Sequence, residues 1–337
     1  MPALFRLLDD IALEKAGPTD LVEVSHPGGG NPLFLPKELL EVLAGAIVDG
    51  ELIHLSGPSG AAKSSIVEAL AREPASFRAL CRSIGAEERP LVVFPVEMTT
   101  IETQGECYFR RALKDGTTWD EPSGLVRALE EASALRGRAY PLIWLRELGR
   151  THSAGVQSGL LNLMVRGDVA LADGKRIEGL GVAWLADSNY QAEDDATHTL
   201  VVLDDAVKRR FSCNITMEWL DAEAEVEVLT SLLERDAGRL EDRDRALIAN
   251  VVKLGALVRR HRSEGNMQSA TPPTIYGYLA FLRRARRHRN LAPSQAALYT
   301  LLGNLSSADK NLLSSILNDV WGLKLAEGSE GSARSWM

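Results

Sequence analysis

The spacing of apolar residues changes character twice along the chain. Ala3 to about Ala16 has helical spacing, and the Gly/Pro-rich stretch from His26 to Pro32 reads as a loop. From Pro36 to Ala46 the spacing is helical again, with Leu39, Leu40, Leu43 and Ile47 on one face. From Glu51 onward, short continuous apolar runs (Leu52 to Leu55, Leu91 to Phe94, Leu142 to Leu145, Gly181 to Leu185) alternate with helical stretches such as Ser64 to Ala71 and Gly124 to Leu135. Such runs predict strands buried on both faces, hence a parallel α/β sheet with helices on both sides. Beyond about Glu218 only helical spacing remains: Ala222 to Asp236, Arg243 to Arg262, Thr274 to Arg289, Pro293 to Leu302 and Ala308 to Gly322. The Gly/Ser-rich tail from Glu327 to Ala333 reads as disordered. The expected organisation is an N-terminal helix and loop (1–34), an α/β domain (35–218), a small all-helical domain (219–325) and a tail (326–337).

A hydrophobic share of 45% and a charged share of 25% over 337 residues suit a globular chain with a substantial core. No window approaches the roughly 18 apolar residues of a membrane helix. The N-terminus carries Asp9, Asp10 and Glu14 and has no small-residue cleavage site, which argues against a signal peptide. Cys81, Cys107 and Cys213 have no CxxC spacing and read as reduced thiols, so a cytoplasmic location is expected. A net charge of −8 argues against general affinity for nucleic acid. The basic runs Arg283 to Arg289 and Arg259 to Arg262 read as solvated or acid-pairing helix faces, with a nucleic-acid footprint as the other reading.

The chemistry concentrates in Gly57-Pro-Ser-Gly-Ala-Ala-Lys-Ser64, which follows a predicted strand and opens a predicted helix. That is the context of a phosphate-binding loop, in which backbone N–H groups and a helix N-terminus converge on phosphate oxygens. Gly57, Pro58, Ser59, Gly60, Ala61, Ala62, Lys63, Ser64 and Ser65 would cradle ATP, Lys63 would reach the β- and γ-phosphates, and Ser64 would ligate Mg²⁺. Ala62 stands where the strict pattern has a second glycine.

The segment GPSGAAKS resembles the loop of AAA+ ATPases of the MoxR type, which commonly carry Ala before the lysine. The resemblance continues in order through Glu102 to Gly105, Pro122 to Ala128, Leu142 to Arg150 (Walker B), Gln157 to Met164, a hairpin from Gly167 to Arg176, Gly181 to Asn189 (sensor 1) and Leu203 to Phe211 (arginine finger). It implies that Glu147 polarises the attacking water, that Asn189 touches the γ-phosphate or that water, and that Arg210, with Arg209 as competitor, reaches a neighbouring subunit's nucleotide. It further implies a homo-oligomeric ring, a hexamer, acting on a protein client such as a von Willebrand factor A domain protein or a larger assembly.

Two positions depart from the family pattern. Arg146 stands where Walker B has its Mg²⁺-holding aspartate, a full charge reversal, with Glu97 as a candidate substitute carboxylate. Restoring the acid, Arg146→Asp, is expected to raise Mg²⁺ dependence and turnover. Thr271-Pro-Pro273 stands where the family has Ser-Pro-Arg with its sensor 2 arginine, and Arg283 and Arg284 lie further on. Three readings follow: a motor or chaperone coupling ATP hydrolysis to partner remodelling, a degenerate ATPase using nucleotide only to set a ring or filament, and a nucleic-acid-directed ATPase. The first is preferred, with slow hydrolysis expected from Arg146.

Overall fold

The computed structural model describes residues 21–24, 32–58, 60–150, 154–166, 168–170, 174, 176–189, 203–267, 272–289, 292–301 and 306–321. The helix expected over Ala3 to Ala16, the loop His26 to Asn31, the tail, Ser59 and Thr271 lie outside these residues. The chain divides into two compact units, Met1–Trp219 and Leu220–Met337.

In the first unit a two-stranded antiparallel ribbon, β1 (Leu21–Val24) and β2 (Leu33–Pro36), leads into helix α1 (Lys37–Val48). The sheet proper has five parallel strands, β3 (Leu52–Gly57), β4 (Leu91–Glu97), β7 (Tyr140–Arg146), β10 (Ala183–Asn189) and β11 (Cys213–Thr216), in the spatial order β11-β3-β10-β7-β4. Residues 140–145 and 183–188 are buried without interruption, which requires cover on both faces. On one face Ile143, Leu145, Trp184 and Ala186 share a core with helices α4 (Gly124–Ala134) and α5 (Ala154–Arg166). Helices α2 (Lys63–Arg72) and α3 (Pro74–Ser83) follow β3. The α/β sheet expected from the sequence is the observed fold.

Several strands outrun the apolar runs that announced them. β10 continues to Asn189, paired with Gly57, and β4 continues to Glu97, paired with Arg146. Glu97 is therefore the last residue of its strand rather than a residue beyond it. Because the strands are parallel, their C-terminal ends share one edge of the sheet. Gly57, Glu97, Arg146, Glu147 and Asn189 gather there, the edge at which open α/β sheets bind ligands.

Two hairpins stand off the sheet. β5 (Phe109–Lys114) and β6 (Thr117–Pro122) are joined by Asp115 and Gly116, both at positive φ (52° and 75°), the geometry of a tight two-residue turn. β8 (Asp168–Ala170) pairs with β9 (Arg176–Glu178) within the hairpin region expected before the sensor 1 strand.

The second unit contains helices α7 (Ala222–Ala237), α8 (Asp242–Ser263), α9 (Ile275–Arg287), α10 (Pro293–Leu301) and α11 (Ser307–Trp321), each within two residues of its expected bounds. The starts of α7, α8 and α9 are fixed by capping: Asp221 accepts from the Ala224 N–H at 2.7 Å, Glu241 and Asp244 form a capping box, and Thr274 accepts from the Gly277 N–H at 3.2 Å. The basic run is largely paired within this unit: Arg283 binds Asp236, Arg286 lies 3.4 Å from Asp244, and Arg289 lies 3.3 Å from Glu241. Arg259 is held by Glu225 and by the Tyr278 hydroxyl. The acid-pairing reading of these runs is the one the geometry favours.

Candidate functional site

The phosphate loop begins where β3 meets a steric limit. A Cβ on Gly57 would lie 2.2 Å from the Met217 carbonyl oxygen, so only glycine fits. At the other end Ala62 adopts a left-handed conformation, φ 63°, which costs a non-glycine residue roughly 1–2 kcal/mol. This is the physical reason a glycine is usual there. Helix α2 starts immediately afterwards with no side chain capping its N-terminus, which leaves its partial positive charge facing the cleft.

Lys63 is 6% exposed. Its ammonium donates to the Gly57 carbonyl at 2.8 Å, the Pro58 carbonyl at 2.7 Å and Asn189 Oδ1 at 3.0 Å. Burial pushes its pKa down to about 8, against the opposing pull of the Asp187 and Glu147 carboxylates. All three acceptors are neutral oxygens. A phosphate oxygen brought to the ammonium would supply the negative charge they lack.

Asn189, the last residue of β10, thus touches the loop lysine directly. Its neighbour Asp187 is the residue that reading by motif missed. It is 3% exposed, and its carboxylate collects three donors: the Ser64 hydroxyl at 2.7 Å on Oδ2, with the Glu147 backbone N–H at 2.8 Å and the Trp144 indole N–H at 3.3 Å on Oδ1. A buried carboxylate needs such partners, since each hydrogen bond to a charged group contributes about 1.5–3 kcal/mol and an unpaired charge is costly. The available signal was a lone acid directly after the apolar run Val182 to Ala186.

Glu147 turns the chain out of β7 at φ 54°, a conformation that costs a non-glycine residue about 1–3 kcal/mol. Its N–H bond to Asp187 and the Arg150 N–H bond to its carbonyl at 2.8 Å hold that turn. The Glu147 carboxylate lies 3.3 Å from Arg150 Nη1, both side chains being substantially exposed. Gly60, Ala62, Lys63, Ser64, Ser65, Glu147, Arg150, Asp187, Ser188 and Asn189 line one cavity of about 180 Å³. The P-loop, Glu147 and Asn189 are therefore brought together as expected.

Arg146 is drawn elsewhere. Its Nη1 lies 2.5 Å from Glu97 Oε1, its Nη2 lies 3.8 Å from Glu68 on α2, and its guanidinium sits 4.7 Å over the Trp144 ring. Glu97 is consequently the counter-ion of Arg146, which corrects its expected part as a substitute metal carboxylate. The hard oxygens that face the loop include the Ser64 hydroxyl and the Asp187 carboxylate. Mg²⁺ at phosphates takes only one or two carboxylates, its remaining positions going to phosphates and waters, so this donor pair fits it. Among the described residues there is no cluster of three or more metal-binding side chains.

Arg209 and Arg210 follow the short helix α6 (Asp205–Lys208). Buried Val207 and Phe211 anchor this segment, and the Phe211 ring stacks on His54 at 5.0 Å. The two arginines between them are exposed, and neither has an ion-pair partner among the described residues.

No protein-family model matches the sequence, and no curated protein sequence does. Among solved structures the chain is similar to the RuvB Holliday junction branch migration motor of Thermotoga maritima, at 12% identity and a TM-score of 0.41, over 84% of this chain and 68% of that one. It is similar to a Cytophaga hutchinsonii protein described as an ATPase, at 17% identity and a TM-score of 0.38, over 84% and 89%. It is also similar to NtrX from Brucella abortus in complex with ATP, at 18% identity and a TM-score of 0.36, over 84% and 67%. No described helix is long and apolar enough to cross a membrane.

Proposed function

We propose that this chain is an AAA+ ATPase of the MoxR type, which binds ATP on Gly57 to Ser65 and hydrolyses it in a site completed by a neighbouring subunit. The supporting observation is the convergence of Lys63, Asn189 and Glu147 on one cavity beneath an uncapped helix N-terminus. Lys63 binds the β- and γ-phosphates, Glu147 orients the attacking water, and Asn189 holds the lysine and the γ-phosphate side of the cleft. Ser64, with Asp187 beside it, would hold Mg²⁺ arriving with the nucleotide, which would supply neutralisation of phosphate charge. Arg210, or Arg209 beside it, projects to the next subunit's nucleotide, so the active assembly is a closed ring, a hexamer by resemblance. Turnover is coupled to remodelling a protein client, a von Willebrand factor A domain protein or a larger assembly. The scaffold reading rested on Arg146 and Pro273, and the presence of Asp187 beside Ser64 weakens the first of these grounds.

Fluorescent ATP titration of Lys63→Ala tests the assignment. Binding should fall below detection while the thermal transition persists. Unchanged ATP affinity in a folded Lys63→Ala protein would overturn it.

A further inference from the structure

We infer that the metal-side carboxylate of this site is Asp187, transposed by one strand from the position that Arg146 occupies. The inference rests on the ATP-binding reading above and identifies which side chain of the chain faces the metal–nucleotide.

The register carries the argument. Ala186 pairs with Leu145, so Asp187 and Arg146 are the next residues on adjacent strands, at one level of the sheet edge. Both point to the same face: Trp144, two residues before Arg146, donates its indole N–H to Asp187 and lies under the Arg146 guanidinium. Along that level the charges run Asp187 on β10, Arg146 on β7 and Glu97 on β4. β10 is the immediate neighbour of the P-loop strand β3, where Asp187 pairs with Leu55, whereas β7 is one strand further away. A carboxylate on β10 is therefore the closer one to the P-loop, and it accepts the Ser64 hydroxyl hydrogen bond at 2.7 Å.

The rest of the level explains why Arg146 is tolerated. Glu97 on β4 and Glu68 on α2 hold its guanidinium, and it does not line the cavity that Asp187 lines. Asp187 also fixes the neighbouring turn, because the same carboxylate accepts the Glu147 N–H. One side chain thus orients the Ser64 hydroxyl and aims the backbone from which Glu147 projects.

The experiment measures the affinity of a fluorescent ATP analogue with Mg²⁺ and with EDTA, for wild type, Asp187→Asn and Arg146→Ala, each checked for folding by circular dichroism. Outer-sphere and hydroxyl-orienting partners of metal sites are typically worth about 10- to 100-fold in metal affinity. Wild type should bind more tightly with Mg²⁺, Asp187→Asn should lose about 10-fold or more of that difference while keeping or gaining affinity in EDTA, and Arg146→Ala should retain it. Full Mg²⁺ dependence in folded Asp187→Asn overturns the inference and leaves the ATP reading intact, as does Mg²⁺-independent binding by wild type. Absence of any nucleotide binding by wild type overturns both. Should Asp187→Asn fail to fold, Asp187→Ser and Arg146→Ala decide. An Arg146→Ala protein that loses the Mg²⁺ dependence, or a folded Asp187→Ser protein that keeps it in full, overturns the inference.

Discussion

Arg146 Nη1 lies 2.5 Å from Glu97 Oε1, and the same guanidinium reaches to 3.8 Å from Glu68, so one cation at the end of β7 serves two carboxylates on two other elements. Each pair is about one-third to one-half exposed, and such pairs contribute about 0.2–1 kcal/mol. Arg146→Asp would remove both attractions and set a third carboxylate against Glu97 and Glu68. The expected result is a loss of about 1–2 kcal/mol in chemical denaturation at low salt, shrinking as salt screens the repulsion. An Arg146→Asp protein as stable as wild type at low ionic strength would show that the three carboxylates are not clustered.

The same neighbourhood shows what a sequence can and cannot disclose. The P-loop was legible because its residues are contiguous and its strand–turn–helix context is local. The helices of the second unit were legible because their caps, Asp221, Glu241 and Thr274, are written beside their apolar faces. The β5–β6 hairpin was missed because β6 is exposed over Thr117 to Asp120 and offers no apolar alternation, although Asp115-Gly116 is a tight-turn signal. Asp187 was missed because its meaning depends on Ser64, 123 positions away, and on which strand lies next to which. The partner of Arg146 was equally hidden: Glu97 joins it only through the β4–β7 register.

Gly255 and Tyr278 give a test confined to the helical unit. A Cβ on Gly255 would lie 1.6 Å from the Tyr278 hydroxyl oxygen, and Tyr278 is fully buried, its hydroxyl accepting from Arg259 at 3.0 Å. The ring cannot swing aside without breaking that contact, so overpacking should cost about 1–3 kcal/mol. Gly255→Ala should lower the stability of the 220–337 unit in hydrogen exchange and leave ATP affinity unchanged. Wild-type protection throughout Asp242–Ser263 would contradict this packing.

His54 should make the first unit sensitive to mild acid. Its Nε2 lies 2.7 Å from the Ser188 hydroxyl, and its ring stacks on Phe211. Burial lowers its pKa; a hydrogen bond to the Asn214 side chain and the charge of Asp187 oppose this, while Lys208 reinforces it. Above the unfolded value of about 6.5 both states are neutral and the histidine makes no difference. As pH falls through about 6.5 the unfolded chain takes up a proton that the native state resists, so stability declines. His54→Gln, which keeps a polar group near Ser188, should flatten the stability profile between roughly pH 6.5 and 5. Identical slopes in the two proteins would mean that His54 titrates normally in the fold.

Arg209 and Arg210 are exposed and lack ion-pair partners among the described residues, although Val207 and Phe211 on either side are buried. An arginine held outward by buried neighbours suits action on a site that its own subunit does not contain. A finger stabilises charge that develops in the transition state, so Arg210→Ala should reduce turnover by about a thousandfold while changing ATP affinity little. Mixing variants separates action between subunits from action within one. Glu147→Gln subunits bind ATP and keep the finger but cannot hydrolyse, whereas Arg210→Ala subunits keep the cleft but lack the finger. Each alone should be nearly inactive. In a randomly mixed ring, a cleft of the second kind faces a finger of the first at about one interface in four, because a heterologous interface always joins two different surfaces. Turnover should therefore return on mixing to a substantial fraction of the wild-type rate, in step with ring formation followed by sedimentation. Failure to recover activity from subunits shown to co-assemble would place the finger within its own subunit, and recovery with Arg209→Ala but not Arg210→Ala would move the role by one residue.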